Sequence, residues 1–246
     1  MKQINYGLLL IATRKYKQFV PSLAKQIHDY VLPGEEKHIF LFSDGIIDLS
    51  AVDKNFDKIH ITEIGIEPYK FPYATLYRYK IFSENAELMG HCSHLLYLDV
   101  DMAIVSPVGE EILVDGLMAV RHPGFYTSDG WGSNGNSEKS TSWFPADKRK
   151  HYYAGGVQGG KTEEYLLACK ILAQNIETDE KNEVMAEWHD ETHWNKYCNY
   201  ERPELVTEFN PSYCMVEQQH LRKSWGIADL PVKIIALAKD HKTIRE

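Results

Sequence analysis

The chain has 246 residues, long enough to bury a sizeable core without disulfide or metal staples. Hydrophobic residues make up 43% and charged residues 25%, the balance of a globular protein rather than a disordered one. With 27 basic against 35 acidic side chains the net charge is −8, which argues against broad nucleic-acid or anionic-membrane binding and leaves room for a local basic patch on one phosphate ligand.

Residues 7–12 are a continuous apolar run, the pattern of a strand buried on both faces. Residues 17–30 place Val20, Leu23, Ala24 and Ile27 on one helical stripe. A second strand is expected at 38–42, ended by Ser43, Asp44 and Gly45, and a third at 59–64. Residues 73–89 predict a single helix, with Leu76, Tyr77, Ile81 and Leu88 at helical spacing and no internal Gly or Pro. The apolar residues 95–98 predict a further strand. This alternation implies a largely parallel α/β sheet with right-handed crossovers. Residues 127–142 are rich in Gly, Ser and Asn and read as a mobile loop or lid. Residues 162–174 predict a helix capped by Thr162, with Glu163 and Glu164 in its first turn. Another helix is expected from about 190 to 199, and the tail from 239 to 246 is basic in an otherwise acidic chain.

The remaining global signals are exclusions. Cys92, Cys169, Cys198 and Cys214 form no CxxC pair, so neither a zinc ribbon nor a thioredoxin-type centre is expected; four free thiols in a reducing compartment are. No apolar run reaches the roughly 18 residues of a membrane span. The first apolar stretch is too short for a secretory leader and lacks a small-residue cleavage site.

Asp99-Val100-Asp101 follows the most apolar strand, and period-two alternation puts both carboxylates on one side. Ligands of α/β sheets bind at such strand ends. Two carboxylates there suit Mg²⁺ or Mn²⁺, whose shell ligand phosphates and water would complete; the plainer alternative is two solvated acids at a loop start. His189 and His193 are spaced like a zincin pair, but Asp190 stands where that motif needs Glu, so a zinc protease is excluded. Glu191 beside Trp188 is then either a catalytic carboxylate or, with Asp190, an acidic first helical turn. Residues 152–160 hold two Gly-Gly pairs, which suit either close backbone approach to a ligand or a tight strand-to-helix turn. His122-Pro123-Gly124-Phe125-Tyr126 alone is a turn with aromatics.

Taken in order, LDVDM, HPGFY, YYAGGVQGG, EWHDETHWNKY, NPSY and KDHKTIR resemble glycosyltransferase family 6 over nearly the whole chain. That family holds the histo-blood-group A and B transferases, the α-1,3-galactosyltransferases and shorter bacterial and phage relatives. The resemblance implies one GT-A domain over residues 1–246. Its Rossmann-like nucleotide-binding sheet would occupy about 1–120, and a mixed extension for donor sugar and acceptor about 121–246. It also implies a UDP-sugar donor, Mn²⁺ (or Mg²⁺ in its place) and retention of configuration, through a covalent glycosyl-enzyme or same-face attack. Lacking an anchor and stem, the chain resembles the soluble, cytoplasmic microbial members, with no nucleic acid or membrane as partner.

Residue by residue, Asp99 and Asp101 match the family's metal-binding pair, with Val100 between them, and Glu191 matches its catalytic glutamate. Asp190 and His189 match donor-sugar positions, and Arg78 a helix arginine that reaches the donor. Ile11, Ala12, Thr13 and Tyr16 fall where uracil and ribose bind. Lys239, His241 and Arg245 match residues that fold over the diphosphate. His122, Tyr126, Trp188 and Glu191 fall at acceptor positions, with Glu217 the nearest acidic candidate near NPSY. At Ala154-Gly155-Gly156, small residues imply UDP-GalNAc over UDP-Gal, because one methyl in a closed pocket is worth roughly 1–3 kcal/mol. Residues 132–140 lack the paired arginines of many relatives. The expected reaction is transfer of GalNAc to the 3-hydroxyl of a β-galactoside, fucosylated or not. The competing readings are the galactosyl version, UDP-sugar hydrolysis as a side reaction, and a binding module that has lost catalysis.

Overall fold

The structure is a computed structural model and describes residues 5–49, 58–128, 130–240 and 244. The first strand, β1 (Tyr6–Ala12), is buried along its whole length, as its unbroken apolar run requires. A 3₁₀ turn over Arg14–Phe19 leads into helix α1 (Val20–Tyr30), so the expected helix starts later than its stripe suggested. Pro21 stands in its first turn, where a missing N–H costs nothing. Strands β2 (Lys37–Ser43) and β3 (Ile59–Gly65) follow.

The helix expected over 73–89 is three short ones: α2 (Tyr73–Leu76), α3 (Arg78–Glu84) and α4 (Ala86–Met89). Tyr77 and Asn85 leave helical geometry, with ψ of 4° and 17°. At the second break the Asn85 side chain donates to the Ile81 carbonyl at 2.8 Å, a local competitor of the helical bond. The first break turns Arg78 into the protein, where it is buried.

Strand β4 (His94–Leu98) ends at Asp99, and β5 (Met102–Ile104) starts just past Asp101. Asp99–Asp101 is therefore a turn between two strands, not the end of one. Strand β6 (Leu117–Arg121) precedes β7 (Tyr153–Lys161), which is nine residues of strand and not the tight turn that its glycines allowed. Helix α5 (Thr162–Lys181) runs seven residues beyond the expected end at Gln174. Thr162 is its first residue rather than its cap, and its hydroxyl makes no capping bond. Helix α6 (His189–Lys196) continues into a π-helical turn over Tyr197–Glu201. The remaining elements are β8 (Val206–Phe209), β9 (Met215–Val216), α7 (Gln219–Ser224) and β10 (Ile234–Ala236).

Seven strands form the main sheet in the order β3-β2-β1-β4-β7-β6-β8. The first four are parallel; β7 runs antiparallel to both β4 and β6, and β8 pairs parallel with β6. This is the expected Rossmann-like half joined to a mixed extension, the GT-A type of α/β fold. One apolar layer packs under α1 and a second under α3, α5 and α6, so both sheet faces are covered. A small sheet, β5-β10-β9, pairs Ala236 with Met102 and so delivers the C-terminal segment to the Asp99–Asp101 turn. All four cysteines are buried thiols.

The end of the segment expected to be a mobile loop, residues 140–142, is packed against the rest of the protein. Ser140 and Ser142 are buried, Ser140 Oγ and the Thr141 N–H donate to the Asp179 carboxylate at 2.5 and 2.7 Å, and Lys196 donates to the Thr141 carbonyl at 2.6 Å. The polar composition that reads as a lid instead supplies partners for α5 and α6. Among the described residues no helix is long and apolar enough to cross a membrane.

Candidate active site

Two groups of expected residues meet at the C-terminal end of the parallel strands. The first lines a cavity of about 150 Å³: Ile11, Thr13, Tyr16, Asp99, Val100, Asp101 and Lys239. Arg14, Tyr69, Phe71, Ala74, Thr75, Tyr97 and Ile244 share that lining, and the sequence reading did not single them out. Ala12 lies in the core beneath the cavity. His241 and Arg245 lie outside the described residues.

Asp99 is held by its surroundings while staying open to the cavity. Its backbone N–H donates to the Gly156 carbonyl at 2.9 Å; the Tyr97 hydroxyl and the Arg78 guanidinium both reach Oδ1. Asp101 is buried, and its Oδ2 accepts no hydrogen bond, yet the Lys239 ammonium lies against it. The charge that faces this oxygen in the structure is the Lys239 ammonium. Among the described residues no group of three or more His, Cys, Asp or Glu side chains gathers around one point. If a hard divalent ion bound here, Asp99 and Asp101 would be the side chains able to hold it, with phosphate oxygens and water completing its shell.

The second group is built around Arg78 and Glu191. Arg78 is buried over the Tyr97 ring at 4.3 Å; it donates to the Gly155 carbonyl at 2.6 Å and lies 3.1 Å from Asp190 and 3.4 Å from Asp99. Gln158 Nε2 donates to the same Gly155 carbonyl at 3.1 Å. On the other side of that residue, the Gly155 N–H donates to Glu191 Oε2 at 2.7 Å, and the Tyr152 hydroxyl donates to Oε1 at 2.7 Å. One hydrogen-bonded unit thus joins Asp99, Asp190 and Glu191. Burial pushes the Asp190 carboxyl up to about 7 against the pull of Arg78, and the nearby Asp99 and Glu191 add to the rise.

The glycines on β7 answer a packing need. Pairing with β6 shifts register between Ala119 and Arg121, so residues 154–157 leave that ladder just where Glu191 and Asp99 approach. A Cβ on Gly156 would sit 2.5 Å from Met102 Cε and 2.8 Å from Asp99 Oδ2, and one on Gly155 would sit 3.2 Å from Glu191 Cβ. Ala154 is buried in the apolar layer facing α1.

Of the expected acceptor residues, His122 and Trp188 adjoin this group, while Tyr126 and Glu217 make their contacts with Arg121 and Ala238. Burial lowers the pKa of His122 despite the nearby Glu191 charge; the ring accepts from the Gly124 N–H and packs edge-on against Tyr152. Trp188 is 52% exposed on the rim, tethered by its indole N–H to the Gly132 carbonyl at 2.6 Å. His189 opens α6 at a φ of 50°, its ring against Phe71. Tyr126 stacks over Arg121, and Glu217 accepts from the Ala238 N–H at 2.6 Å, anchoring the C-terminal segment.

Comparison with known proteins gives the family. The profile of glycosyltransferase family 6 matches residues 1–246. Histo-blood group ABO system transferase 1 of Rattus norvegicus is 28% identical over 249 residues, covering 100% of this chain and 70% of that protein. Globoside alpha-1,3-N-acetylgalactosaminyltransferase 1 of Homo sapiens is 26% identical over 217 residues, 85% of this chain and 60% of that protein. The O-antigen biosynthesis glycosyltransferase WbnI of Escherichia coli is 25% identical over 210 residues, 82% of this chain and 85% of that protein. A sheet with acids and a clamped carboxylate at its ligand-binding end, under a profile that spans the whole chain, identifies a hexosyltransferase that belongs to glycosyltransferase family 6.

Proposed function

We propose that the chain transfers N-acetylgalactosamine from UDP-GalNAc to the 3-hydroxyl of a β-galactoside with retention of configuration. The observation that carries this reading is the unit in which Arg78 and Gly155 tie Asp99, Asp190 and Glu191 together. The cavity at the end of β1 takes uridine, with Tyr16 and Thr13 in its wall. Asp99 and Asp101 would hold Mn²⁺, or Mg²⁺ in its place, which would supply Lewis-acid stabilisation of charge on the diphosphate leaving group. Lys239 adds a second positive charge on the same side. Asp190 orients the sugar hydroxyls, and Glu191 presents its carboxylate at the anomeric carbon. The Tyr152 hydroxyl and the Gly155 N–H hold that carboxylate in place for either retaining route, covalent or same-face. Trp188, His122 and Tyr126 lie on the acceptor side. GalNAc is favoured over galactose because Gly155 and Gly156 put no side chain beside Glu191 and Asp99, whereas Ala154 faces the core and takes no part in that choice; two relatives bear N-acetylgalactosaminyltransferase or ABO transferase names. The whole chain acts as one catalytic domain.

The test is UDP release from UDP-GalNAc, UDP-Gal, UDP-GlcNAc and UDP-Glc with lactose or 2′-fucosyllactose, in Mn²⁺ and in EDTA. Acceptor-stimulated, Mn²⁺-dependent release from UDP-GalNAc is expected, and Glu191→Gln should keep UDP affinity while losing turnover. Faster release from UDP-Gal overturns the donor, undiminished release in EDTA overturns the metal, and full turnover by Glu191→Gln overturns the role of Glu191.

A further inference from the structure

The two donors that clamp Glu191 come from residues 152 and 155, and Tyr153 between them is where α6 grips β7. The side chain of Asn195, fully buried, makes that grip: Oδ1 accepts from the Tyr153 N–H at 2.7 Å, and Nδ2 donates to the Tyr153 carbonyl at 2.7 Å and to the Glu191 carbonyl at 2.9 Å. Both amide hydrogens and the acceptor are used. One turn on, Asn199 repeats the pattern: Oδ1 accepts from the N–H groups of Lys150 and His151 at 3.0 and 3.2 Å, and Nδ2 donates to the His151 and Asn195 carbonyls at 2.9 Å.

A buried asparagine within a helix is unfavourable unless its partners are particular ones. Here the partners are the backbone groups of Tyr153, which pairs with Arg121 at the edge of the register shift between β6 and β7, next to residues 154–157 that leave that ladder. The helix that carries Glu191 therefore takes its position on β7 from an amide that reads both backbone groups of one residue. Sliding α6 by a fraction of an ångström would lengthen the Tyr152 and Gly155 bonds to Glu191 together.

We infer that Asn195 is a positioning residue for the transfer reaction: by pinning Tyr153 to α6 it sets the Tyr152 hydroxyl and the Gly155 N–H on the two oxygens of Glu191. This rests on the reading of Glu191 given above.

Asn195→Asp tests it. The change keeps the volume and the acceptor for the Tyr153 N–H but turns a double donor into an oxygen facing two carbonyls. Turnover is measured per UDP-binding site, counted by calorimetric titration with UDP and Mn²⁺, so that misfolded protein is not scored as slow protein. The amide-proton NMR shift of Gly155 reports its bond to Glu191 without any turnover. The expected result is a fall of about 10–100-fold in kcat per site, an unchanged donor KM and an upfield Gly155 amide. Acidification, which protonates the new carboxyl and returns one donor, should recover part of kcat. Asn195→Ala, free of the charge question, should show the same loss at unchanged KM. Full kcat per site in either variant, or a Gly155 amide that does not move, overturns the inference. So does a failure of both variants to bind UDP, which would make Asn195 a folding determinant only. Wild-type protein that turns over no donor would instead overturn the reading of Glu191, and with it the claim on turnover.

Discussion

The Tyr152 hydroxyl has one carboxylate oxygen to serve, and its ring is already committed to packing against Phe125 and Trp131. Burial and the adjacent Glu191 raise its pKa well above the usual phenol range, so it stays a donor at any working pH. Tyr152→Phe keeps the packing and leaves Oε1 of Glu191 short of one bond, a loss of about 1–3 kcal/mol. Where that loss falls on the transition state, kcat drops roughly 5–150-fold. The expected outcome is that drop with UDP affinity and melting temperature close to wild type. Equal kcat would show that Gly155 alone suffices to hold the carboxylate. Tyr152 was visible in the sequence only as an aromatic beside glycines, because its partner lies 39 residues on and depends on how α6 packs. Glu191 was legible because its neighbours form a recognisable motif. Arg78 stands in none of the quoted motifs and was named only through the family resemblance, and its burial was not foreseen. That follows from the break at Tyr77, which no Gly or Pro announces.

At the scale of elements, β7 decides how the two halves of the sheet meet. Its glycines suited either a tight turn or close backbone approach to a ligand; here they lie in a strand squeezed between two antiparallel neighbours. A Cβ on Gly159 would lie 2.3 Å from the Leu95 carbonyl oxygen on β4, and backbone has nowhere to go. Gly159→Ala should therefore destabilise the fold by about 3 kcal/mol or more, at the upper end of overpacking costs. Gly156→Ala meets only the flexible end of Met102 and the Asp99 carboxylate, so most of the fold tolerates it. What it displaces is a proposed metal ligand. A Mn²⁺ titration in the presence of UDP should show weaker binding for Gly156→Ala, with a smaller loss of melting temperature than for Gly159→Ala. The reverse ranking of melting temperatures would mean that the β4–β7 contact relaxes easily. The parallel half of the sheet was legible from its apolar runs, since strands buried on both faces leave no other pattern. The mixed half came only through resemblance, because β7 and β8 carry too few apolar residues to reveal their partners.

Across the whole molecule, one buried pair ties the polar segment 127–142 to the catalytic side. Asp179 on α5 takes Ser140 and Thr141 on one side and lies 3.6 Å from His193 Nε2, two residues beyond Glu191 on α6. Burial lowers the His193 pKa to about 4; the Asp179 charge pulls it up without reversing the shift, and Lys196 lowers it further. The folded protein thus keeps this imidazole neutral where the unfolded chain, with a pKa near 6.5, takes up a proton. The contribution is complete above pH 6.5 and is lost as pH falls from there towards 4. The slope is that of one proton, roughly 1.4 kcal/mol per pH unit. Denaturant unfolding of wild type between pH 7 and 4.5 should show this decline on top of the general acid trend, and His193→Gln should remove it while costing some stability at pH 7. Parallel pH profiles for the two proteins would place the acid sensitivity elsewhere. If the slopes differ as expected, the segment that reads as a lid is held by the same pair that seats α6, and acid should loosen residues 140–142 before it unfolds the parallel sheet. Hydrogen exchange at the Thr141 amide, followed against an amide of β1, distinguishes that order from a single cooperative loss.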